Sequence, residues 1–312
     1  MLALLAAAAA FDFEGVRSVD ARLAAIAQRL VTANAPICPD LVPAPGFVLH
    51  AVDQYEPAYR AGARAAFGFA APVAVEWVVP GSAAARAGLR ANDAVVAVAG
   101  KRLDPAEAAD TSSRHRDAAQ ALVEAQPAAA PLTLTVLRGG RDQAVTIEPS
   151  PGCRSRFELV LGPGLTADAD GLVVHIGVRF LALYPDDQVA AVVAHELAHD
   201  ILRHRARLDA AKVDRGLLSE VGRNRRLIRR TEDEADLLSI HLLRNARYDP
   251  QIAIRFWRDE APKVDGGVFR SRTHAGGRSR ATAMAAELAR VPEGAGVPYA
   301  PPVLATRTEP LQ

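Results

Sequence analysis

The sequence predicts an α+β chain: a β-rich region over about 47–150, then a mainly helical region over about 151–290 with a small sheet of its own. Three observations carry this. Between Phe47 and Pro149, short apolar runs alternate with turn residues. Beyond Tyr184 the apolar period lengthens to that of helices, in segments too long for strands. The chain has 312 residues, 50% of them hydrophobic and 23% charged, enough for two domains with separate cores. A net charge of +1 offers no field for a phosphate backbone or an acidic membrane, so nucleic acid is not an expected partner.

Residues 1–10 read as the apolar core of a secretory signal, short and without a basic n-region. The expectation is export to the periplasm or cell envelope, or a cytoplasmic protein if the segment is not a signal. No other stretch approaches the ~18–20 apolar residues of a bilayer span, so the processed chain is expected to lack transmembrane insertion. Cys38 and Cys153 can pair in an oxidising compartment and otherwise remain two half-buried thiols.

Within the segment 11–46, Leu23, Ile26, Leu30 and Val31 share one face of a helix over 16–33, with Asp20 as its cap, and Pro39, Pro43 and Pro45 follow as an irregular link. In the β-rich region, Val73–Val79 and Ala94–Val98 read as strands. Pro80-Gly81-Ser82, a short helix over Ala83–Leu89 and the turn Ala91-Asn92-Asp93 stand between them. A polar loop over Asp104–Arg116 precedes a helix over Asp117–Ala125. Leu132–Leu137 and Gln143–Ile147 form a hairpin through Arg138-Gly139-Gly140-Arg141.

Val79–Leu89, Asn92-Asp93 and Val96–Lys101 resemble a bacterial PDZ domain, with Asn92 where that pattern has Gly and Ala99 where it has Asn. The resemblance implies a PDZ-like domain over 47–150 that binds an extended peptide or a C-terminus by adding it to a sheet edge. Phe67, Gly68 and Phe69 are the candidate carboxylate loop; Phe67 and Phe69 read equally well as core.

In the second half, Ala169-Asp170-Gly171 turns into a buried-strand pattern over Leu172–Val178, in which His175 reads as structural rather than as a ligand. Asp186 is placed to cap a helix through about His204, with Val189, Val193 and Leu197 on its apolar face. That helix carries His195-Glu196-Leu197-Ala198-His199, the pattern H-E-x-x-H. Four residues turn a helix by about 400°, so both imidazoles leave one face a turn apart, as two ligands of one zinc require, with Glu196 beside them as general base. His204 lies about 180° round a continuous helix from His195 and is expected to point away, as a structural or supporting residue.

Ten Lys/Arg against three acids between Arg203 and Arg230 read as a solvated face or loop. Thr231–Glu234 reads as a capping box opening a helix to about Ala246, which puts Glu232 and Asp236 on one face. Glu232 suits the third ligand position and Asp236 the carboxylate that orients a ligand imidazole. Asp249-Pro250 starts the next helix, another ends near Arg290, and the tail 291–312, with five prolines, is expected to be irregular or disordered.

These residues resemble the gluzincin family of the CAAX prenyl proteases (metallopeptidase family forty-eight), in its soluble bacterial form. The resemblance runs from Ala169-Asp170-Gly171 through Asp187–His199, Glu232-x-Glu234-Ala235-Asp236, Leu242-Leu243, Tyr248-Asp249-Pro250 and Phe256-Trp257 to Thr273-His274 and Arg280. It implies a mainly helical zincin-type protease domain with one zinc ion on His195, His199 and Glu232, catalysis by Glu196, and Asp236 behind the ligands. His274 would gate the metal or, with Arg280, aid the oxyanion. Ala275 replaces the family's Pro, and Arg247 its Gly. The strand holding Val173, Val174, His175 and Ile176 would take substrate as an added strand. The N-terminal helix would pack on the protease domain, with the PDZ-like region inserted and a Cys38–Cys153 bridge closing the insertion.

The expected function is hydrolysis of peptide bonds in misfolded or envelope proteins, with PDZ-mediated peptide recognition. A peptide-binding scaffold or chaperone with a silent zinc site is the alternative. Intramembrane proteolysis would need spans that the sequence does not offer.

Overall fold

A computed structural model describes residues 11–213, 222–260 and 276–311. In chain order the elements begin with α1 (Phe13–Asn34), β1 (Leu41–Ala44), β2 (Phe47–Ala51), α2 (Arg60–Phe67) and β3 (Val73–Val78). They continue with α3 (Ala83–Arg86), β4 (Ala94–Val98), β5 (Lys101–Arg102), α4 (Arg114–Glu124), β6 (Leu132–Arg138) and β7 (Arg141–Ile147). Next come β8 (Ser150–Cys153), β9 (Arg156–Val160), β10 (Ala167–Ala169), β11 (Val173–Gly177), α5 (Val178–Leu183), α6 (Asp186–Ile201) and α7 (His204–Ala210). The last are α8 (Gly222–Asn245), α9 (Gln251–Asp259) and α10 (Gly277–Leu288). Of the described residues, 11–21, 45–126 and 131–148 form one compact unit; 22–44, 127–130 and those from 149 onward form the other. The division falls within α1, so most of that helix belongs with the second unit. The helix begins earlier than expected, where Asp12 Oδ1 accepts the Gly15 N–H at 2.8 Å; Asp20 lies in its interior and is not its cap.

The first unit is built on an antiparallel sheet in the order β2-β3-β4-β6-β7, with β5 paired to β4. Leu132, Leu134 and Val136 alternate into the core, where they meet Val73, Val75, Val95 and Ile147 and, from α4, Ala119 and Val123. The period of two places every second side chain on the buried face. Asn92, where the resembling pattern has Gly, has φ 69°, a backbone state that Asn tolerates better than other non-Gly residues. Beside it, Asp93 accepts from Arg90 N and from Arg138 at the start of the β6–β7 hairpin. For Phe67, Gly68 and Phe69 the structure favours the core reading. Phe67 ends α2, Gly68 is its left-handed cap with φ 61°, and both rings are buried with Val52, Ala63 and Ala74. A methyl group on Gly68 would meet no neighbour, so backbone conformation alone favours Gly there.

The second unit contains two small sheets. β1 pairs antiparallel with β8, and a Cβ at Gly152 would stand 2.7 Å from Ala44 Cβ, so this contact requires Gly. Cys38 and Cys153 are bridged at this site, with Cα atoms 5.4 Å apart. The other sheet has the order β10-β11-β9: β11 pairs parallel with β9 over all five of its residues and antiparallel with β10. The strand of Val173, Val174, His175 and Ile176 is thus the middle strand, flanked on both sides, and has no free edge for a substrate. His175 Nδ1 instead faces Asp168 Oδ2 at 3.2 Å.

The helices pack around α6, whose residues Val189–Ala198 are all buried; α8 and α9 lie against it. Asp186 is the first residue of α6 rather than its cap and accepts from Arg22 Nε at 2.7 Å. Thr231 does not open a helix. It lies inside α8, its hydroxyl donates to Ile228 O, and the basic run preceding it is helical from Gly222. The tail is ordered through Leu311: Tyr299 N donates to Asn245 Oδ1, Arg307 to Ile37 O, and Leu311 is buried.

α8 ends in a Schellman-like turn in which Tyr248 N donates to Leu243 O at 2.9 Å and Arg247 has φ 58°. Gly at this position would adopt that backbone without the steric penalty that Arg bears. Arg247→Gly is therefore expected to raise stability by up to about 1 kcal/mol, read from the urea midpoint. The Cys38–Cys153 bridge spans 115 residues of sequence, and chain entropy predicts that it contributes about 4–5 kcal/mol. A Cys38→Ser, Cys153→Ser protein should show a lowered melting temperature that thiol reductant no longer changes.

Candidate metal centre

α6 and α8 each contribute two residues to one buried cluster. His195 and His199 leave the same face of α6, and Glu232 and Asp236 the same face of α8, because both pairs are spaced i, i+4. The two helices pack against each other, and three donor atoms converge. His195 Nε2 and His199 Nε2 are 3.3 Å apart. Glu232 Oε2 lies 3.2 Å from the first and 3.6 Å from the second. A tetrahedral zinc with bonds of ~2.0–2.1 Å has ligand–ligand edges of ~3.3–3.4 Å, so this triangle has the size of one tetrahedral face. His195, His199 and Glu232 are the one such group of potential ligands among the described residues.

The donor set also fits a cation electrostatically. His195 Nδ1 faces Asp236 Oδ1 at 3.1 Å, so in the neutral ring with its hydrogen on Nδ1 the lone pair is on Nε2. Burial pushes the His195 imidazole down, but Asp236 and Glu232 outweigh it and hold the ring up at about 9, so the site draws positive charge. Burial acts to raise Glu232 as well, yet the two imidazoles hold its carboxyl well below the usual range. Glu196 is 3% exposed; burial pushes its carboxyl up, and its Oε1 has no hydrogen-bond partner among the described residues. Two imidazoles and a carboxylate that could hold an ion thus stand together, and a further carboxylate, Glu196, follows His195 on α6.

Arg280 is placed differently from the expected oxyanion aid. It is 4% exposed, donates from Nε and NH2 to the two oxygens of Asp236 at 2.7 and 2.6 Å, and lies 3.5 Å over the Trp257 ring. The Trp257 ring also meets His195 edge-on, at 5.3 Å. Arg280 thus acts through Asp236 on His195, and α10 and α9 supply the support. His274 lies outside the described residues.

Sequence reasoning named His204 as a structural or supporting residue but pointed it away from the site, and it gave Glu234 no role there. α6 stops at Ile201, and Arg203 takes φ 55°, which turns the chain so that His204 opens α7 and comes back toward the site. Its Nδ1 lies 3.0 Å from His199 Nδ1 and its Nε2 3.2 Å from Glu234 Oε2. The expectation that His204 points away assumed an unbroken helix. No Gly or Pro marks the break, and the sole signal was Glu234, two residues after Glu232.

The Asp236–Arg280 pair makes a testable prediction. Asp236→Asn leaves a buried guanidinium without its counter-charge and should cost about 3–5 kcal/mol in the metal-free protein. The double variant Asp236→Asn, Arg280→Met should lose clearly less, as read by urea denaturation.

No curated protein matches the chain. Residues 74–138 match the PDZ domain family, a span that takes in most of β3 and runs to the end of β6. The chain therefore contains a PDZ domain, a fold that binds extended peptides and C-termini.

Proposed function

We propose that the chain is a zinc-dependent endopeptidase whose PDZ domain recruits peptide segments of its protein substrates. The observation that carries this reading is the triangle of His195, His199 and Glu232 donors, with edges of 3.2–3.6 Å, beside the unengaged Glu196 carboxylate. When bound there, zinc supplies Lewis-acid polarisation of a carbonyl and acidification of a water. His195, His199 and Glu232 hold the ion. Asp236, clamped by Arg280, keeps His195 turned toward it. Glu196 takes the proton of the attacking water and returns it to the leaving nitrogen.

A substrate chain pairs by strand addition, on β10 rather than β11. β10 is the outer strand of its sheet among the described residues and packs on α6, and its Asp168 acts electrostatically on Glu196. In the first unit the corresponding acceptor is β2. It is an edge strand of the sheet, α4 packs beside it, and it follows Gly46, which has φ 84°. The Cys38–Cys153 bridge supports export to an oxidising compartment such as the periplasm, and hence misfolded envelope proteins as substrates.

Purified protein should carry one zinc per chain and cleave an unfolded substrate such as β-casein. Glu196→Gln should retain the metal while activity falls by at least about 100-fold, and Glu232→Ala should lose both. Stoichiometric zinc in Glu232→Ala would remove Glu232 from the ligand set. Undiminished biological activity in Glu196→Gln would favour the non-proteolytic scaffold.

A further inference from the structure

The two imidazoles of the candidate centre are backed by different devices. Behind His195 stands the carboxylate of Asp236. Behind His199 stands another imidazole, His204, 1% exposed, and the carboxylate comes one residue later, at Glu234. Glu234 is itself fixed from three sides. Arg207 NH1 donates to it at 2.6 Å and Arg230 Nε at 2.9 Å, and the Thr306 hydroxyl, shared with Val303 O, lies 3.1 Å away.

Proton placement along this chain follows from donor and acceptor chemistry. Glu234, gripped by two guanidinium groups, is an acceptor only, so His204 Nε2 carries the hydrogen that faces it. A neutral His204 then presents a bare Nδ1 to His199, and His199 Nδ1 must be the donor across the 3.0 Å contact. That leaves His199 Nε2 as a lone pair on the side of His195 Nε2 and Glu232 Oε2. The reverse placement would set a bare His204 Nε2 against a carboxylate. A doubly protonated His204 would make His199 Nδ1 the acceptor and put a hydrogen on the nitrogen that faces the other ligands.

We infer that His204 is a positioning residue for metal binding: relayed to Glu234, it fixes the tautomer and ring direction of His199, as Asp236 does for His195. The break at Arg203 is what makes this possible, because a continued helix would carry residue 204 to the far side. The inference rests on the metal-centre reading of His195, His199 and Glu232. It adds to that reading a requirement on two residues that touch no ligand position.

The test uses the full chain. Zinc affinity is measured by competition with a chromophoric chelator for wild type, His204→Leu and His204→Asn, alongside the cobalt(II) absorption spectrum of each. Asn places an amide oxygen where the His204 Nδ1 lies and keeps the acceptor; Leu removes it. Loss of this partner is expected to weaken zinc binding about 10–100-fold in His204→Leu and to alter the cobalt spectrum, with His204→Asn recovering most of the loss. A folded His204→Leu protein with wild-type affinity and an unchanged spectrum overturns the relay and leaves the metal centre standing. No zinc uptake by wild type sinks both. Should His204→Leu not fold, imidazole nitrogen shifts of the zinc-loaded wild type decide. His204 protonated at Nε2 alone supports the inference, and a hydrogen on its Nδ1 overturns it.

Discussion

The buried contact between Asp236 and Arg280 is the constraint on which the second unit's architecture turns. One carboxylate satisfies a guanidinium from α10 with both oxygens while one of those oxygens faces His195 on α6. Three helices are thereby held in register by a single charged group. Removing two charges from water costs several kcal/mol per ion, and only tight geometry with further hydrogen bonds offsets that cost. The Trp257 ring beneath Arg280 and the fully buried Phe256 and Met284 supply apolar packing around the pair. Stability alone would be served better by apolar side chains at these positions. What the pair provides is a fixed direction for His195.

The same logic explains why α6 is buried on every side. A helix that is apolar all round makes a core element, and His195 and Glu196 are buried within it at 1% and 3% exposure. Buried polar groups are costly unless partnered, and several here meet a partner. Asp236 faces His195, His204 meets His199 and Glu234, and Asp200 accepts from the Ser155 hydroxyl. The Glu196 Oε1 has no hydrogen-bond partner among the described residues.

Much of this was legible in the sequence because helical spacing is short-range information. His195/His199 and Glu232/Asp236 each follow from a separation of four residues. Alternation located β4, β6 and β7, and the hairpin glycines fixed the turn between the last two. The errors arose where tertiary contacts overrode a local signal. Thr231–Glu234 has the letters of a capping box, but the arginines before it are good helix formers and α8 continues through them. Arg203 breaks α6 with a positive φ that no Gly announces. β9 and β10 are too short and mixed in composition to register as strands, so nothing in the sequence showed that β11, which the resemblance implies as the substrate-pairing strand, is the centre of its sheet. The tail's prolines do not exclude structure: Pro302–Thr308 forms a 3-10 helix, and the tail is held by Asn245, Ile37 and Glu234, residues distant in sequence.

Each unit also leaves a particular kind of strand at a sheet edge. Edge strands expose unpaired N–H and C=O groups and invite association, so proteins usually shorten, charge or cover them. β10 has three residues and carries Asp168, so it can hold only a short segment before pairing stops. β2 is longer, and its irregular pairing with β3 between Val48 and Leu49 adds local twist. β10 is protected by its shortness and charge and β2 by its irregularity, which leaves β2 the longer backbone row for an extended peptide. On the proposed reading, a chain paired on β10, which lies against α6, would have its direction and register set before any side chain is read.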